Sequence, residues 1–132
     1  MSHPAIHARS SVRKFGGVEA DYLPLHAWFD QTKAHIPDAR HRMLLHNSFG
    51  IFLAEQQFGV MLTLSNGRPI PTRLVAEQHV REDFGFIPTL EQALRNLPLE
   101  PWMYQGAAAI SRDPVTHVKA PTPESRVPEE TA

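Results

Sequence analysis

Two four-residue steps from histidine to aspartate are the parts of this sequence best suited to chemistry. They join His26 to Asp30 and His79 to Asp83, in a chain with eight histidines and no cysteine. On a helix, residues four apart lie on one face, so each step would bring an imidazole and a carboxylate within reach of a shared ion or proton. The spacing indicates where a site would form but names no reaction.

The two steps alone do not distinguish a site from a solvated surface. With eight histidines and 14 acidic residues in 132 positions, about one such step is expected by chance. The step from His26 to Asp30, with Lys33 one turn further, also fits an exposed hydrogen bond and ion pair worth a few tenths of a kcal/mol.

A run of residues between the two steps strengthens the case for a site. Asp38 is placed to cap a predicted helix from Ala39 to about Phe58, whose apolar residues surround most of the circumference, as is typical of a buried central helix. Its polar members include Arg40, His41, Arg42, His46, Ser48 and Glu55. Buried polar groups need partners, so we expect His46, in the middle of this helix, to point into a site.

If these segments converge, His26, His46, His79 and Asp83 form a set of imidazole and carboxylate ligands. Such a set suits zinc, iron, manganese or nickel, and the ion would lower the pKa of a bound water enough to make a nucleophile. Without a metal, His79 oriented by Asp83 would act as a base. We predict no organic cofactor, and a glycine-rich phosphate loop before a helix is absent. The HExxH zinc motif is absent as well.

Two residues of the predicted central helix are assigned catalytic roles. Arg42 would stabilise an anion. Glu55 would act as a general base, with a buried ion pair to Arg73 as the alternative. His41 lies about 140° round the helix from His46, so we expect it to have a structural role near the helix start.

The whole pattern predicts a mainly α fold with one β-hairpin (α+β), in a compact helical domain with a buried central helix. Further helices are expected over residues 5–15, 21–34, 73–84 and 89–97, with hairpin arms at 60–64 and 69–72 around an Asn-Gly turn. Residues 1–104 would form the domain, with residues 102–104 docking on it or forming a homodimer seam. Residues 105–132, rich in proline, are expected to be largely disordered.

Composition limits the partners and the compartment. Because 13 basic residues balance 14 acidic ones, the charge disfavours binding to nucleic acid or an anionic membrane. A basic strip at Arg9, Arg13 and Lys14 keeps a nucleic-acid binder as a minor alternative. No stretch has the length of a membrane span, and the lack of cysteine fits a reducing compartment, so we expect a cytoplasmic protein.

The polar residues resemble, in order and spacing, those of a small family of uncharacterised proteins from bacteria and their phages. The residues that carry the resemblance include His7-Ala8, Arg40-His41-Arg42, His46, Glu77-Gln78-His79-Val80, Glu82-Asp83 and Ile87-Pro88-Thr89. The resemblance covers residues 3 to about 102 and implies a bacterial or phage origin and a common polar site, but no activity. Arg42, His46, His79 and Asp83 are also faintly similar to metal phosphohydrolases, whose adjacent His-Asp pair this sequence lacks.

Three functions from different classes remain open. The first is a divalent-metal protein that hydrolyses a small phosphorylated or amide substrate. The second is a non-enzymatic interaction protein, such as a phage or prophage factor that binds a host protein. The third is a nucleic-acid binder that uses the basic strip. The sequence leaves open whether the protein is an enzyme.

Overall fold

The computed structural model describes residues 3–110, with side chains described as far as residue 106. Over this range the α-helices are α1 (Pro4–Phe15), α2 (Leu23–Phe29), α3 (Ser48–Phe58), α4 (Thr72–Phe84), α5 (Leu90–Leu94) and α6 (Trp102–Ile110). Strands β1 (Met61–Thr63) and β2 (Pro69–Pro71) pair in an antiparallel hairpin. Three short 3-10 helices cover Glu19–Asp21, Gln31–Ala34 and Ala39–Met43. The predicted α+β fold class is confirmed.

The chain divides into two compact units, residues 1–96 and residues 97–132. The first unit contains α1 to α5, the hairpin and every candidate site residue. In the second unit, α6 runs from Trp102 to Ile110 and so continues past the domain end predicted at residue 104. The rest of the stretch expected to be disordered, residues 111–132, lies outside the described residues. Docking of residues 102–104 on the domain stays a prediction.

Helix α4 is the central element of the first unit. It packs against α1, α2 and α3, and Val75, Ala76 and Val80 are completely buried. It ends at Gly85, which takes the left-handed conformation (φ 82°) expected of a terminating glycine. No described helix is both long and apolar enough to cross a membrane.

Local signals located several elements correctly. Helix α1, the hairpin and α4 have nearly the predicted bounds. Thr89 forms the expected capping box with Gln92, although the helix that it starts ends at Leu94 rather than at residue 97.

The prediction of one buried helix from Ala39 to about Phe58 is wrong. The chain forms a 3-10 helix, then a bend, and α3 begins only at Ser48. Helix α3 is also not buried all round, because Phe49 and Phe52 are 43% and 52% exposed. The all-round apolar pattern therefore comes from two shorter elements, one of which leaves aromatic side chains in solvent.

Asn47 holds this bend. Its side-chain oxygen accepts a hydrogen bond from the Gly50 N–H, which caps the start of α3. Its side-chain Nδ2 donates to the carbonyls of Met43 and Leu44, at the end of the 3-10 helix. Because Asn47 is completely buried, water cannot replace these hydrogen bonds, so the bend is fixed.

The second predicted helix also differs from the structure. We expected Asp21 to cap a helix reaching Ala34, but α2 begins at Leu23 and ends at Phe29. The Asp21 carboxylate instead accepts hydrogen bonds from the Val18 N–H and from Ser65 in the hairpin turn. Asp30 consequently lies at the junction between α2 and the following 3-10 helix.

Candidate metal centre

Three segments bring the four predicted metal ligands together in the interior of the first unit. Helix α4 carries His79 and Asp83 one turn apart, α2 carries His26, and the bend before α3 carries His46. The three imidazoles are completely buried, and the Asp83 side chain is 2% exposed. His46 therefore reaches the interior from an interruption in the helical structure, rather than from the middle of a helix as we expected.

The distances within this cluster are short. Nε2 of His46 lies 3.1 Å from Nε2 of His79 and 3.0 Å from Oδ2 of Asp83. Nε2 of His79 lies 3.3 Å from the same carboxylate oxygen. His26 approaches from the other side, because its Nδ1 lies 2.9 Å from Nδ1 of His79.

Asp30 completes a group of four donor atoms. Its Oδ1 lies 3.4 Å from Nε2 of His46 and 3.6 Å from Nε2 of His79. Asp30, His46, His79 and Asp83 can each offer one ligand atom, with all four atoms within 4.8 Å of one another. His26 does not belong to this group. The sequence had paired Asp30 with His26, whereas the structure directs its carboxylate to His46 and His79.

We call Asp30, His46, His79 and Asp83 the donor group. The separations between their ligand atoms fit a metal ion at the centre of the group. With bonds of about 2.0–2.2 Å, a tetrahedral ion separates its ligand atoms by about 3.3–3.6 Å, and an octahedral ion separates adjacent ones by about 2.8–3.1 Å. Five of the six separations run from 3.0 to 3.6 Å, and the sixth, between the Asp30 and Asp83 oxygens, is no more than 4.8 Å. Two carboxylates with two neutral imidazoles also balance the charge of a divalent cation.

Buried polar atoms without hydrogen-bond partners are concentrated in and around the donor group. Among the described residues they are His7 Nε2, Asp30 Oδ2, His41 Nε2, Arg42 Nε, His46 Nδ1 and Asp83 Oδ1. Each such atom costs about 1–3 kcal/mol. Their collection at one place is what a site completed by an ion and ordered water would show.

The second oxygen of Asp83 faces a histidine and an arginine. Nε2 of His7 lies 3.3 Å from Oδ1 of Asp83, without the alignment of a hydrogen bond, and Nη2 of Arg42 lies 3.5 Å from it. The other ring nitrogen of His7 is 2.8 Å from Oε1 of Glu82. Burial lowers the pKa of His7, but close contact with the carboxylates of Asp83 and Glu82 outweighs it and leaves the pKa raised.

The two aspartates of the donor group are held in the charged form. Burial alone would raise the pKa of Asp30 and of Asp83, yet both pKa values lie well below the ordinary range. The cause is contact with His46 and His79, to which His7 adds at Asp83 and Lys33 at Asp30. Ionised carboxylates are the form that binds a cation.

His26 has the opposite electrostatic environment. Burial, together with the nearby imidazoles of His79 and His7, lowers the pKa of His26 to about 2. The ring is therefore neutral, and its Nε2 lies 2.8 Å from the hydroxyl of Ser11. The rings of His26 and His79 are stacked, with centroids 5.1 Å apart.

His41 lies closer to the site than its predicted helical position implied. Its Nδ1 donates to the carbonyl of Asp38 at 2.8 Å, and its Nε2 is 3.9 Å from Oδ1 of Asp30. The ring centroids of His41 and His46 are 6.0 Å apart. The angular separation of these two histidines assumed one continuous helix, which the bend removes.

The two predicted catalytic residues are placed differently. Arg42 contacts Asp83 and lies over the ring of Phe84, at 5.6 Å from its centroid. Glu55 lies half-buried on α3 and, within the described part of the chain, its side chain forms no hydrogen bond or ion pair. The alternative partner, Arg73, pairs with Glu77 at 2.8 Å, so the expected pair of Glu55 with Arg73 does not form.

A family model for a domain of unknown function, DUF6915, matches residues 2–103. The chain belongs to this family. The match includes the whole donor group and its neighbours, and it agrees with the resemblance to a family of uncharacterised proteins. No curated protein and no solved structure matches the chain.

Proposed function

We propose that the protein binds one divalent transition-metal ion through the donor group and uses it to hydrolyse a small phosphorylated substrate. The observation that supports this most directly is the set of separations that the two histidine nitrogens make with each other and with the carboxylates, 3.0 to 3.6 Å between atoms from three segments of the chain. Nitrogen and oxygen donors of this kind suit zinc, iron, manganese or nickel.

The proposed reaction needs only water as a second reactant. An ion held by Asp30, His46, His79 and Asp83 would lower the pKa of a bound water, which would then attack phosphorus as hydroxide. A new phosphorus–oxygen bond forms, the ester bond breaks, and the proton of the water passes to the departing alcohol. Inorganic phosphate and the alcohol are the products, and no organic cofactor takes part.

Two cations beside the donor group favour a phosphorylated substrate over an amide. Nη2 of Arg42 is 3.5 Å from Asp83, and Nζ of Lys33 is 3.7 Å from Asp30. Their side chains are 14% and 33% exposed, more than either carboxylate that they contact. An anionic group approaching from solvent would therefore meet these cations first, whereas a neutral amide would gain nothing from them.

Metal content is the first test, made on protein without a histidine tag, since a tag would bind metal itself. We expect one equivalent of ion per chain by elemental analysis, and less than about a tenth of this in His46→Ala and in His79→Ala. The matched control is His35→Ala, which removes an exposed imidazole outside the donor group and should leave the metal content unchanged. Metal-free wild-type protein that also fails to take up added zinc, manganese, iron or nickel would refute the proposal.

Hydrolysis is the second test, with p-nitrophenyl phosphate and nucleoside monophosphates as probes. We expect turnover by metal-loaded protein, none by His79→Ala, and a rate at least about tenfold lower in Arg42→Ala with metal content retained. A protein that binds metal but hydrolyses none of these esters would refute the hydrolase and leave a metal-binding protein.

One observation supports the alternative of a non-enzymatic interaction protein. Phe49 and Phe52 on α3 are both about half exposed, and their rings stack with centroids 6.4 Å apart. Exposed aromatic pairs of this kind are common at protein interfaces. A host protein whose binding is lost in Phe49→Ser with Phe52→Ser, but is kept in metal-free His79→Ala, would establish this alternative.

A further inference from the structure

A chain of hydrogen bonds reaches His79 on the side that faces away from the donor group. Its members, which we call the positioning chain, are Gln78, Ser11 and His26. We propose that the positioning chain holds the proton of the neutral His79 ring on Nδ1 and so keeps Nε2 free to bind the metal ion. The inference rests on the proposed function, but the proton's position can be measured without any metal.

The first step is the orientation of the Gln78 amide. Its Nε2 lies 3.1 Å from the carbonyl oxygen of His7 and 3.2 Å from Oε1 of Glu82. Both of these oxygens accept hydrogen bonds, so only the NH₂ end of the amide fits between them. Oε1 of Gln78 must then face Ser11, from which it is 2.9 Å away.

The second step is the direction of the Ser11 hydroxyl. Its oxygen lies 2.9 Å from Gln78 Oε1, 3.0 Å from the His7 carbonyl and 2.8 Å from Nε2 of His26. Two of these neighbours can only accept, and the hydroxyl has one hydrogen, so this hydrogen belongs to one of them. The remaining contact requires His26 to donate, which places the proton of His26 on Nε2.

The third step carries this assignment to His79. His26 is completely buried, and its ring nitrogens contact Ser11 and His79 rather than a carboxylate that would hold a second proton. With its proton on Nε2, the ring therefore has only a lone pair on Nδ1. That lone pair lies 2.9 Å from Nδ1 of His79, which must therefore be the donor. With its proton on Nδ1, neutral His79 presents a lone pair at Nε2, where His46, Asp30 and Asp83 converge.

His26 thus acts as a positioning residue and is not a metal ligand, although its sequence pattern predicted one. A histidine ligand whose other nitrogen donates to a fixed acceptor is oriented before the ion arrives, which raises its affinity for metal. Ser11 and Gln78 act on the metal only through His26, since neither belongs to the donor group.

Long-range ¹⁵N–¹H NMR on histidine-labelled protein tests the proposal directly. In the metal-free protein above the imidazole titration range, we expect the Nε2–H form for His26 and the Nδ1–H form for His79. In zinc-loaded protein we expect the His79 proton to remain on Nδ1. A proton on Nε2 of His79 in the metal-free protein, or zinc bound through its Nδ1, would overturn the inference.

Two serines on α1 provide a matched pair of variants. Ser11→Ala removes the acceptor for His26 and should lower zinc affinity at least about tenfold, with the His79 proton no longer confined to Nδ1. Ser10→Ala removes an equally small buried hydroxyl that contacts Glu82 instead, and should change affinity less than about threefold. Equal affinities in the two variants would contradict the role of Ser11.

The two proposals fail in different ways. If the wild-type protein binds no metal but shows the expected protons on His26 and His79, the positioning chain stands and the proposed function falls. If it binds metal with the opposite proton positions, the positioning chain falls. Should Ser11→Ala not fold, the wild-type spectrum still decides the question.

Discussion

Gly50 should be indispensable to the bend that carries His46. A Cβ atom added at Gly50 would overlap the carbonyl oxygen of Leu45 and lie 2.7 Å from Leu45 Cα. Non-bonded carbon atoms pack at about 3.5–4.0 Å, and the carbonyl oxygen lies closer still, so Gly50→Ala requires the backbone at Leu45 to move by about 1.5 Å. Leu45 directly precedes His46, whose ring nitrogen belongs to the donor group.

This movement is costly because the added Cβ meets backbone atoms of Leu45, which cannot rotate away as a side chain can. Overpacking in a well-packed interior costs about 1–3 kcal/mol, and we expect Gly50→Ala to lie near 3 kcal/mol. For a domain of this size, that corresponds to a fall in Tm of roughly 12–24 °C. Metal sites tolerate ligand displacements of about 0.2 Å, so zinc affinity should fall at least about tenfold as well.

Thermal unfolding followed by circular dichroism and a zinc titration together measure both effects. The matched control is Gly106→Ala on α6, where an added Cβ meets nothing within 4 Å and alanine favours the helix by about 1 kcal/mol. A Gly50→Ala protein with wild-type Tm and wild-type zinc affinity would refute the account of the bend. A similar loss of Tm and zinc affinity in Gly106→Ala would show that the effect is not specific to the bend.

Three further predictions concern the rest of the molecule. Hydrogen bonds from the Val18 N–H and from Ser65 lower the pKa of Asp21. The ionised Asp21 side chain therefore stabilises the fold above the unfolded pKa of about 3.9, and this stabilisation is lost as pH falls below that value. Asp21→Asn should lower Tm near pH 7 and have a diminishing effect towards pH 3. A chelator should lower the Tm of metal-loaded wild-type protein, since ion at 100 times its Kd contributes about 2.7 kcal/mol, and should not change the Tm of His46→Ala. Glu55→Gln should leave metal content and hydrolysis unchanged, and a loss of either would restore the role that the sequence assigned to Glu55.

The predictions that succeeded depend on local signals. The step from His79 to Asp83 brings two side chains together because that segment is an α-helix with the predicted bounds, ended by Gly85. The Asn-Gly turn likewise located a two-stranded hairpin. In each case the deciding interactions lie within one element, so the sequence around it contains the necessary information.

The predictions that failed needed contacts between elements. Asp30 was assigned to His26 by helical spacing, but α2 ends at Phe29 and the carboxylate contacts residues from two other segments. His7 was missed as a neighbour of Asp83, because only the packing of α1 against α4 brings them together. Nothing in the spacing of α1 indicates this contact.

The bend at Asn47 had a signal that the apolar pattern concealed. Asparagine directly before an apolar run is a typical first residue of a helix, and Gly50 three residues later removes the side chain that would block a turn. The surrounding leucines and phenylalanines nevertheless made one long buried helix the simpler interpretation. Giving capping residues more weight than all-round hydrophobicity would have placed the start of α3 correctly.

The composition of the interior itself argues for a binding site. Among the described residues, eleven polar or charged ones are buried alongside eleven apolar ones, and five of the polar ones are histidines. Replacing buried ionic groups with well-packed apolar residues is often neutral or stabilising, so a polar interior of this kind adds little to the stability of the metal-free fold. A bound divalent ion would add to this stability, because it binds the assembled donor group and not the unfolded chain. The same residues that weaken the metal-free core would then make folding and metal binding one coupled process.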